Sequence, residues 1–461
     1  FEAVDAFIPN RFVEGYGMTI DAVERIAKTG ATLIITVDCG SLSEKEIIRA
    51  KELGVDVIVT DHHNVATIHP PAVAIINPKR IDHDYPFIDL AGVGVAFKLV
   101  QALQAKLEGI PTGQEKWLLD LVALGTVCDV VSLVDENRAN VYWGLKVLAK
   151  TKRPGLRALM AVADVEIDSI NSRTLGFVLG PRLNAAGRLE TAQIALDLLL
   201  EQTGKDALDT ARRLDELNKK RRIEQDVITK EAVVIADRLE NDPVLVISGA
   251  GWNHGVVGIV AAKITEKFKK PTFVLSEASS ETKGSARSYG DFSAAEAIKY
   301  AKKVVTKGGG HKLAAGVTLP TSSVGAFREK VNEYYKSLKL KNQTELLLAQ
   351  SEATVGIEQV NVGLINDFAI MEPFGNGNPE PILKLDNVLV IEQKKLGADK
   401  QHVKLTVTDS AKQEFQMIAF NAQSNFFVKE GEYINAWFRP VINEWQGRVS
   451  VEGRLLRVEL V

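Results

Sequence analysis

Ala31-Thr32-Leu33-Ile34-Ile35-Thr36-Val37 runs into Asp38-Cys39-Gly40, and the pattern resumes at Val55-Asp56-Val57-Ile58-Val59-Thr60, directly before Asp61-His62-His63. Both apolar runs are short and rich in β-branched residues, so each reads as a strand, the second a buried one. Between them Leu42 to Leu53 has helical spacing and stops at Gly54. The unit is therefore strand, helix, strand, with a right-handed crossover. Parallel neighbours put both C-terminal tips on one sheet edge, the usual ligand site of open α/β folds. Asp38 and His62 can thus converge, and an acid with two imidazoles at such an edge points to a metal.

A third ionisable tip is Asp129, which closes the apolar helix-like stretch Trp117 to Val127 and needs a partner in so apolar a setting. Taken singly, each of these residues could be a helix cap or an exposed strand end. Taken together, carboxylates with imidazole favour Mn2+, Zn2+ or Fe, and an oxygen-rich set with one histidine leans toward Mn2+ or Mg2+.

A chain of 461 residues with 46% hydrophobic content holds three or four domains at ~100–200 residues each. Net charge of −3 argues against coating nucleic acid by bulk electrostatics, so any phosphate binding must be local. No apolar run reaches the ~18–20 residues of a membrane span, and no charged-then-apolar leader opens the chain. The two cysteines, Cys39 beside Asp38 and Cys128 beside Asp129, make no disulfide framework and read as small buried hydrophobes, which fits a reducing cytoplasm.

Residues 1 to about 200 alternate β-rich and helical runs, the pattern of a doubly wound parallel-sheet α/β domain. Lys205 to Asn241 contains neither Gly nor Pro and predicts one long connector helix, whose Lys219-Lys220-Arg221-Arg222 run reads as a solvated face. A second α/β domain follows from 242 to 340, with strands at Val244–Ser248 and Thr272–Leu275 and helices near Val256–Lys267 and Ala294–Val305, forming the opposite wall of a cleft. Three of its segments suit anions. They are the Gly-rich run Lys307-Gly308-Gly309-Gly310-His311-Lys312, the small-residue loop Gly284-Ser285-Ala286-Arg287-Ser288, and Gly251-Trp252-Asn253-His254-Gly255 at a helix N-terminus. Gly180-Pro181-Arg182-Leu183-Asn184-Ala185-Ala186-Gly187-Arg188 adds two arginines in a small-residue frame, and either is a candidate for a functional role. From 341 to 461, strands near Val388–Glu392, His402–Val407, Phe415–Phe420, Ile434–Phe438 and Arg448–Val458 predict an OB-like barrel. Phe420, Phe426, Trp437 and Trp445 are its candidate stacking aromatics, each with core packing as the plainer role.

The combination of Asp38, Val59 to His63, Leu90 to Phe97, Leu124 to Leu133, Gly180 to Leu189, Trp252 to Gly258, Gly284 to Ser288 and Gly309 to Gly316 resembles the DHH phosphoesterase superfamily. Pro9-Asn10-Arg11-Phe12 through Gly17 joins the match. Within the superfamily the likeness is to bacterial exonucleases specific for single-stranded DNA, and it covers essentially the whole chain. It implies a two-metal, Mn2+- or Mg2+-dependent phosphodiesterase that removes 5′ nucleotides in repair and recombination. Asp38 then matches the carboxylate bridging two ions, His62 and Asp129 match ligands of one ion, and His63 matches the imidazole near the scissile phosphate. Arg287 and His311 match phosphate-binding positions, supported by Arg188 and His254, with Ser285, Gly309 and Gly310 in the same substrate site.

Single-stranded DNA is the implied ligand. A single-strand-binding protein and a helicase are candidate partners, and a cytoplasmic monomer is expected. The superfamily's aspartate-rich first motif is expected upstream of Phe1, and without it this sequence is expected to bind metal weakly and cleave poorly. Two other functions fit part of the pattern. One is a phosphodiesterase for oligoribonucleotides or cyclic dinucleotides, which the added barrel and the Gly180 to Leu189 stretch disfavour. The other is a non-catalytic single-strand-binding scaffold, which retention of Asp38, His62, His63 and Asp129 opposes. The barrel is expected to raise strand affinity without changing the chemistry.

Overall fold

The structure, a computed structural model, describes residues 3–340, 348–422, 426–445 and 447–461, Trp445 by its backbone alone. The Thr19 hydroxyl accepts the Ala22 N–H and so caps helix α1 (Ile20–Lys28). The two strands expected around the Asp38 and His62 tips form as β1 (Leu33–Val37) and β2 (Asp56–Thr60), linked by α2 (Glu44–Glu52). They pair in parallel with Leu33 opposite Asp56 and Val37 opposite Thr60, and β3 (Ala74–Ile76) adds a third parallel strand beside β2. Val23, Ile47, Ala50, Val57 and Val59 pack together on one face. β1 lies at the sheet edge and is less buried than β2, since Leu33, Ile35 and Val37 stay exposed.

The alternation expected up to residue 200 ends at β3. The described residues form only helices from α3 (Gly92–Lys106) through α4 (Leu119–Cys128), α5 (Asp135–Leu148), α6 (Pro154–Val162), α7 (Ser172–Thr174), α8 (Gly180–Leu189) and α9 (Gln193–Leu200). The physical reason is spacing: the buried positions of α5, Asn137, Val141, Gly144 and Leu148, fall every three or four residues and not every second one. α7 continues through a π-helical turn, Leu175–Leu179, into α8.

The long helix forms as α10 (Gly204–Arg238), whose 35 residues span about 52 Å at ~1.5 Å per residue. It is more than a connector. Ala207, Ala211 and Leu214 in its first half are buried, and Asp215 takes an ion pair from Arg182 of α8 at 2.9 Å. Ile228, Ala232 and Ala236 in its second half share a core with Leu245, Ile247, Val256 and Val260 of the following lobe. A single stiff helix therefore belongs to two cores.

That lobe comprises β4 (Leu245–Ala250), α11 (Val257–Phe268), β5 (Thr272–Glu277), β6 (Glu281–Arg287), α12 (Ala294–Tyr300), β7 (Lys307–Gly310), β8 (Ala314–Pro320) and α13 (Val324–Ser337). The sheet order is β4-β5-β6-β8-β7, and only β4 and β5 run parallel. Two segments read as loops are strands. Gly284 to Arg287 lies in central β6, and Lys307 to Gly310 is the exposed edge strand β7. Close packing explains Gly284, where a Cβ would stand 2.2 Å from Leu275 Cδ2 and 2.8 Å from the Val274 carbonyl oxygen.

The C-terminal region forms a separate compact unit of residues 347–461 with 132–134, the other unit being 1–131 with 135–346. Its strands are β9 (Ala353–Thr354), β10 (Leu383–Leu396), β11 (His402–Thr408), β12 (Glu414–Ala419), β13 (Tyr433–Trp445) and β14 (Arg448–Leu460). The order β11-β12-β14-β13-β10 closes because β10 also pairs with β11, giving a five-stranded barrel. Alternate residues Val403, Leu405 and Val407 point into its core with Leu385, Met417, Ile434 and Phe438.

Of the aromatics singled out for stacking, Trp437 is buried beneath Arg457 and Lys384, which lie 4.2 and 4.8 Å from its ring centroid. Phe426 packs partly buried against the core. The side chain of Trp445 lies outside the described residues. Phe420 alone of the described three is well exposed, at 56%. No helix among the described residues is long and apolar enough to cross a membrane.

Candidate functional site

The parallel register carries β1 and β2 to the same edge. The Asp38 N–H donates to the Thr60 carbonyl at 2.9 Å, so pairing extends one residue past β1 and delivers Asp38 beside the Asp61-His62-His63 triplet. Asp38 sits at φ 64°, a left-handed conformation that aspartate and asparagine tolerate better than most residues. Its carboxylate Oδ1 lies 3.0 Å from His62 Nε2, which in turn is 3.4 Å from Asp129 Oδ2 at the C-cap of α4. Asp38, His62 and His63 each offer a ligand atom, all within 4.8 Å of one another.

Asp61 has a different task. It is buried, and its Oδ1 accepts from the His63 ring Nδ1 at 2.7 Å and from the His62 and His63 N–H groups, while Oδ2 accepts from the Ser41 N–H. Burial alone would raise this carboxyl, but the hydrogen bonds from His63 and Ser41 outweigh it and hold it well below the usual carboxylate range. The same Asp61 bond pushes the His63 imidazole above its ordinary value, against the opposing effect of burial. Asn77, just past β3, fastens the triplet by donating to the His63 carbonyl at 2.9 Å and to Ser41 Oγ at 2.8 Å.

The residues fit a divalent cation. Asp38 Oδ1 and His62 Nε2 are buried atoms that make no hydrogen bond among the described residues. Burial pushes the Asp129 carboxyl up, His62 pulls it back only in part, and Asp38 pushes it further. Such a set is stabilised by a bound cation, and its oxygen and imidazole donors suit Mn2+ or Mg2+.

Space around Asp38 is tight. A Cβ on Gly92, at the start of α3, would stand 2.4 Å from Asp38 Oδ1 and 3.0 Å from Asp38 Cβ. Gly92→Ala should therefore displace the carboxylate and weaken Mn2+ binding by about 10–100-fold, the range seen when groups supporting metal ligands are altered. Calorimetric titration of the variant checks this, with unchanged affinity counting against the Asp38 ligand assignment.

Opposite the triplet stands the second α/β lobe. The His63 and His311 rings stack with centroids 6.1 Å apart and planes inclined by 16°. His311 follows Gly310, whose φ of 150° and tight contact with the Ala314 carbonyl leave no room for a side chain. Phe12 meets His254 edge-on at 4.8 Å, and burial lowers both His254 and His311. Arg188 Nη1 donates to the Gly255 carbonyl at 3.1 Å. Arg287 and Ser285 of β6 lie over the first turn of α11, where a Cβ on Gly258 would come within 3.5 Å of Arg287 Nη2 and 3.2 Å of Ser285 Oγ. Burial depresses the Arg287 guanidinium and takes Arg188 down to about 10, with repulsion from Arg11, Arg221 and Arg287 adding to the latter. Arginines gathered in this way suit an anion.

The other sequence candidates separate here. Arg182 is occupied structurally by Asp215 and the Val178 carbonyl. Gly309 and Gly310 lie on β7 beside His311. The thiols of Cys39 and Cys128 are pushed up to about 11 by burial, and Cys128 Sγ fills the space that a side chain at Gly180 would need. Sequence reasoning missed Tyr16, whose hydroxyl donates to the Asp38 carbonyl. It also missed Asn77, although the rule that found His62 places it at the tip of β3, a strand too short to show alternation.

An Asp-His-His triplet on a parallel sheet edge, stacked against a second lobe rich in arginine and glycine, defines a DHH-type architecture. The DHH family N-terminal domain matches residues 1–126, the DHHA1 domain 241–337 and the RecJ OB domain 351–456. The single-stranded-DNA-specific exonuclease RecJ of Bacillus subtilis (strain 168) is 38% identical over 449 residues, covering 96% of this chain and 56% of the relative. That of Escherichia coli (strain K12) is 34% identical over 478 residues, covering 97% and 81%. The crystal structure of RecJ from Thermus thermophilus in complex with Mn2+ superposes with a TM-score of 0.84 at 28% identity, covering 96% of this chain and 63% of that one. Its Mg2+ complex gives 0.77 at 26%, covering 95% and 69%. The chain belongs to the RecJ family. It spans just over half the length of the Bacillus relative and under two thirds of the Thermus chain in the Mn2+ complex.

Proposed function

We propose that this chain carries the catalytic and strand-binding parts of a metal-dependent exonuclease that hydrolyses single-stranded DNA from its 5′ end. The observation that carries this reading is the stacking of His63 on His311, which sets the Asp38, His62 and Asp129 group against the Arg188 and Arg287 group within one unit. Asp38, His62 and Asp129 would hold Mn2+ or Mg2+, two ions in the intact protein, which would activate water and neutralise charge on the phosphate. Asp61 fixes the His63 ring beside the scissile phosphate. Arg188, His254, Ser285, Arg287, Gly309, Gly310 and His311 receive the strand's phosphates, and seating the terminal one among the arginines sets the 5′-to-3′ direction. The four-part division, with residues 1–204, 205–241, 242–340 and 341–461 as catalytic domain, connector, phosphate-binding domain and barrel, assigns these roles along the chain. A part in repair and recombination, as a cytoplasmic monomer acting with a single-strand-binding protein and a helicase, completes the reading.

The test is Mn2+-dependent release of mononucleotides by the full-length protein from single strands labelled at the 5′ or the 3′ end. Early release of the 5′ label supports the proposal. Preference for a dinucleotide over a long strand would favour the oligonucleotide phosphodiesterase, and strand binding without hydrolysis would favour the scaffold.

The barrel adds a second expectation. Phe420 is exposed, with the His402 ring edge-on at 5.3 Å and the Arg454 guanidinium 5.9 Å above it, a surface suited to a base. Phe420→Ala should weaken strand binding about tenfold, within the ~1–3 kcal/mol of a stacked base, and leave cleavage of very short strands unchanged. Fluorescence anisotropy reads the first and single-turnover kinetics the second.

A further inference from the structure

The loop Gly251-Trp252-Asn253-His254-Gly255 leads into α11 and is tied to α10 at two successive residues. Trp252 Nε1 donates to Glu231 Oε2 at 2.7 Å, and Asn253 Nδ2 donates to Glu224 Oε2 at 3.0 Å. The two glutamates lie about two turns apart on one helix face. On the other side, Asn253 Oδ1 accepts the Gly255 N–H at 2.9 Å, and the Asn253 main-chain carbonyl accepts the Val256 N–H at 2.9 Å. The second bond pins the peptide group that carries the Gly255 carbonyl. That carbonyl accepts from Arg188 Nη1 at 3.1 Å, the one hydrogen bond the Arg188 side chain makes among the described residues.

The loop also meets the end of α8 with no side chain between them, since a Cβ on Gly255 would stand 2.3 Å from the Arg188 carbonyl oxygen. A guanidinium carries several N–H donors in a rigid fork, so one bond to a fixed carbonyl orients it while the other donors stay open to a ligand. The aim of Arg188 therefore depends on where the peptide groups flanking Gly255 sit. Asn253 holds both of them. Capping α11 does not account for the whole arrangement, because a cap needs only an acceptor, which aspartate supplies as well as asparagine. The bond from Asn253 Nδ2 to Glu224 needs a donor, and it ties the loop to the helix shared by two cores.

Resting on the exonuclease reading above, we propose that Asn253 is a positioning residue, held by Glu224 of α10, which fixes the Gly255 peptide groups and so aims Arg188 at the strand. The test measures binding and not cleavage. A short single-stranded DNA oligonucleotide is titrated by anisotropy, without divalent metal, into the full-length protein and its variants. Arg188→Gln should bind about tenfold more weakly, as for loss of one charge-assisted hydrogen bond. Asn253→Ala should lose about as much, within the coupling of residues that share one hydrogen-bond network, and the double variant should bind no more weakly than Arg188→Gln alone. Asn253→Asp should also lose affinity, because its carboxylate cannot donate to Glu224, and adding Glu224→Gln should restore most of it by supplying the donor from the other side. Penalties that multiply in the double variant overturn the proposal, as does full affinity in Asn253→Asp, the result of a capping role alone. If Asn253→Ala does not fold, Asn253→Asp with and without Glu224→Gln decides the matter. Failure of the unmutated protein to bind the strand would instead sink the exonuclease reading itself.

Discussion

Asp38→Asn is expected to lower Mn2+-supported cleavage by at least about 10^3-fold, roughly 4 kcal/mol of transition-state stabilisation, while leaving the fold intact. Asparagine tolerates φ 64° as aspartate does, and the N–H bond to Thr60 is a backbone bond that survives the change. Only the charge and one oxygen are removed. Those are what a cation shared with His62 and Asp129 requires, because Asp38 Oδ1 and His62 Nε2 make no hydrogen bonds among the described residues and have no evident structural task. Calorimetry should show weakened Mn2+ binding in parallel with the lost rate, and the melting temperature in metal-free buffer should hold. Activity within tenfold of the unmutated protein at saturating Mn2+ would remove Asp38 from the metal site. Asp61→Asn should behave differently, lowering the melting temperature as well, since Asp61 is buried and satisfies three backbone N–H groups and the His63 ring.

How far such assignments could be read in advance depended on the local signal. Asp38 and His62 were legible because two apolar strands flank one helix, and the parallel connection leaves little choice of where their tips meet. α10 was legible because no Gly or Pro interrupts it, and the barrel because Val403, Leu405 and Val407 alternate. β6 and β7 were read as loops because glycine suppresses the strand signal. In the sheet these small residues are neighbours, with Gly309 opposite Gly316 and Gly316 opposite Ser285. The inward turn of Arg221 was hidden in a charge run. On a helix, four successive residues point four ways, and only Asn218 and Gln225 at spacings of three and four mark the face that Arg221 shares.

Arg287 brings these strands and the chemistry together, and replacing it should separate stability from binding. It ends β6, with Thr272 of β5 on one side and Ala314 of β8 on the other, and it donates to the Ala286 carbonyl at 2.8 Å. Burial depresses its guanidinium, so keeping it charged costs the folded protein free energy that no carboxylate repays. Arg287→Gln should therefore leave the melting temperature unchanged or slightly raised. Strand affinity should fall by about 10–100-fold, the equivalent of a ~1.5–3 kcal/mol hydrogen bond to a charged group. If the phosphate is held alike in the ground and transition states, the loss appears in KM with kcat nearly unchanged. Arg287→Lys should recover part of it, because the charge returns without the planar fork. A large drop in melting temperature with affinity unchanged would make Arg287 a structural residue, and the pocket over α11 would then need another explanation for its glycine at position 258.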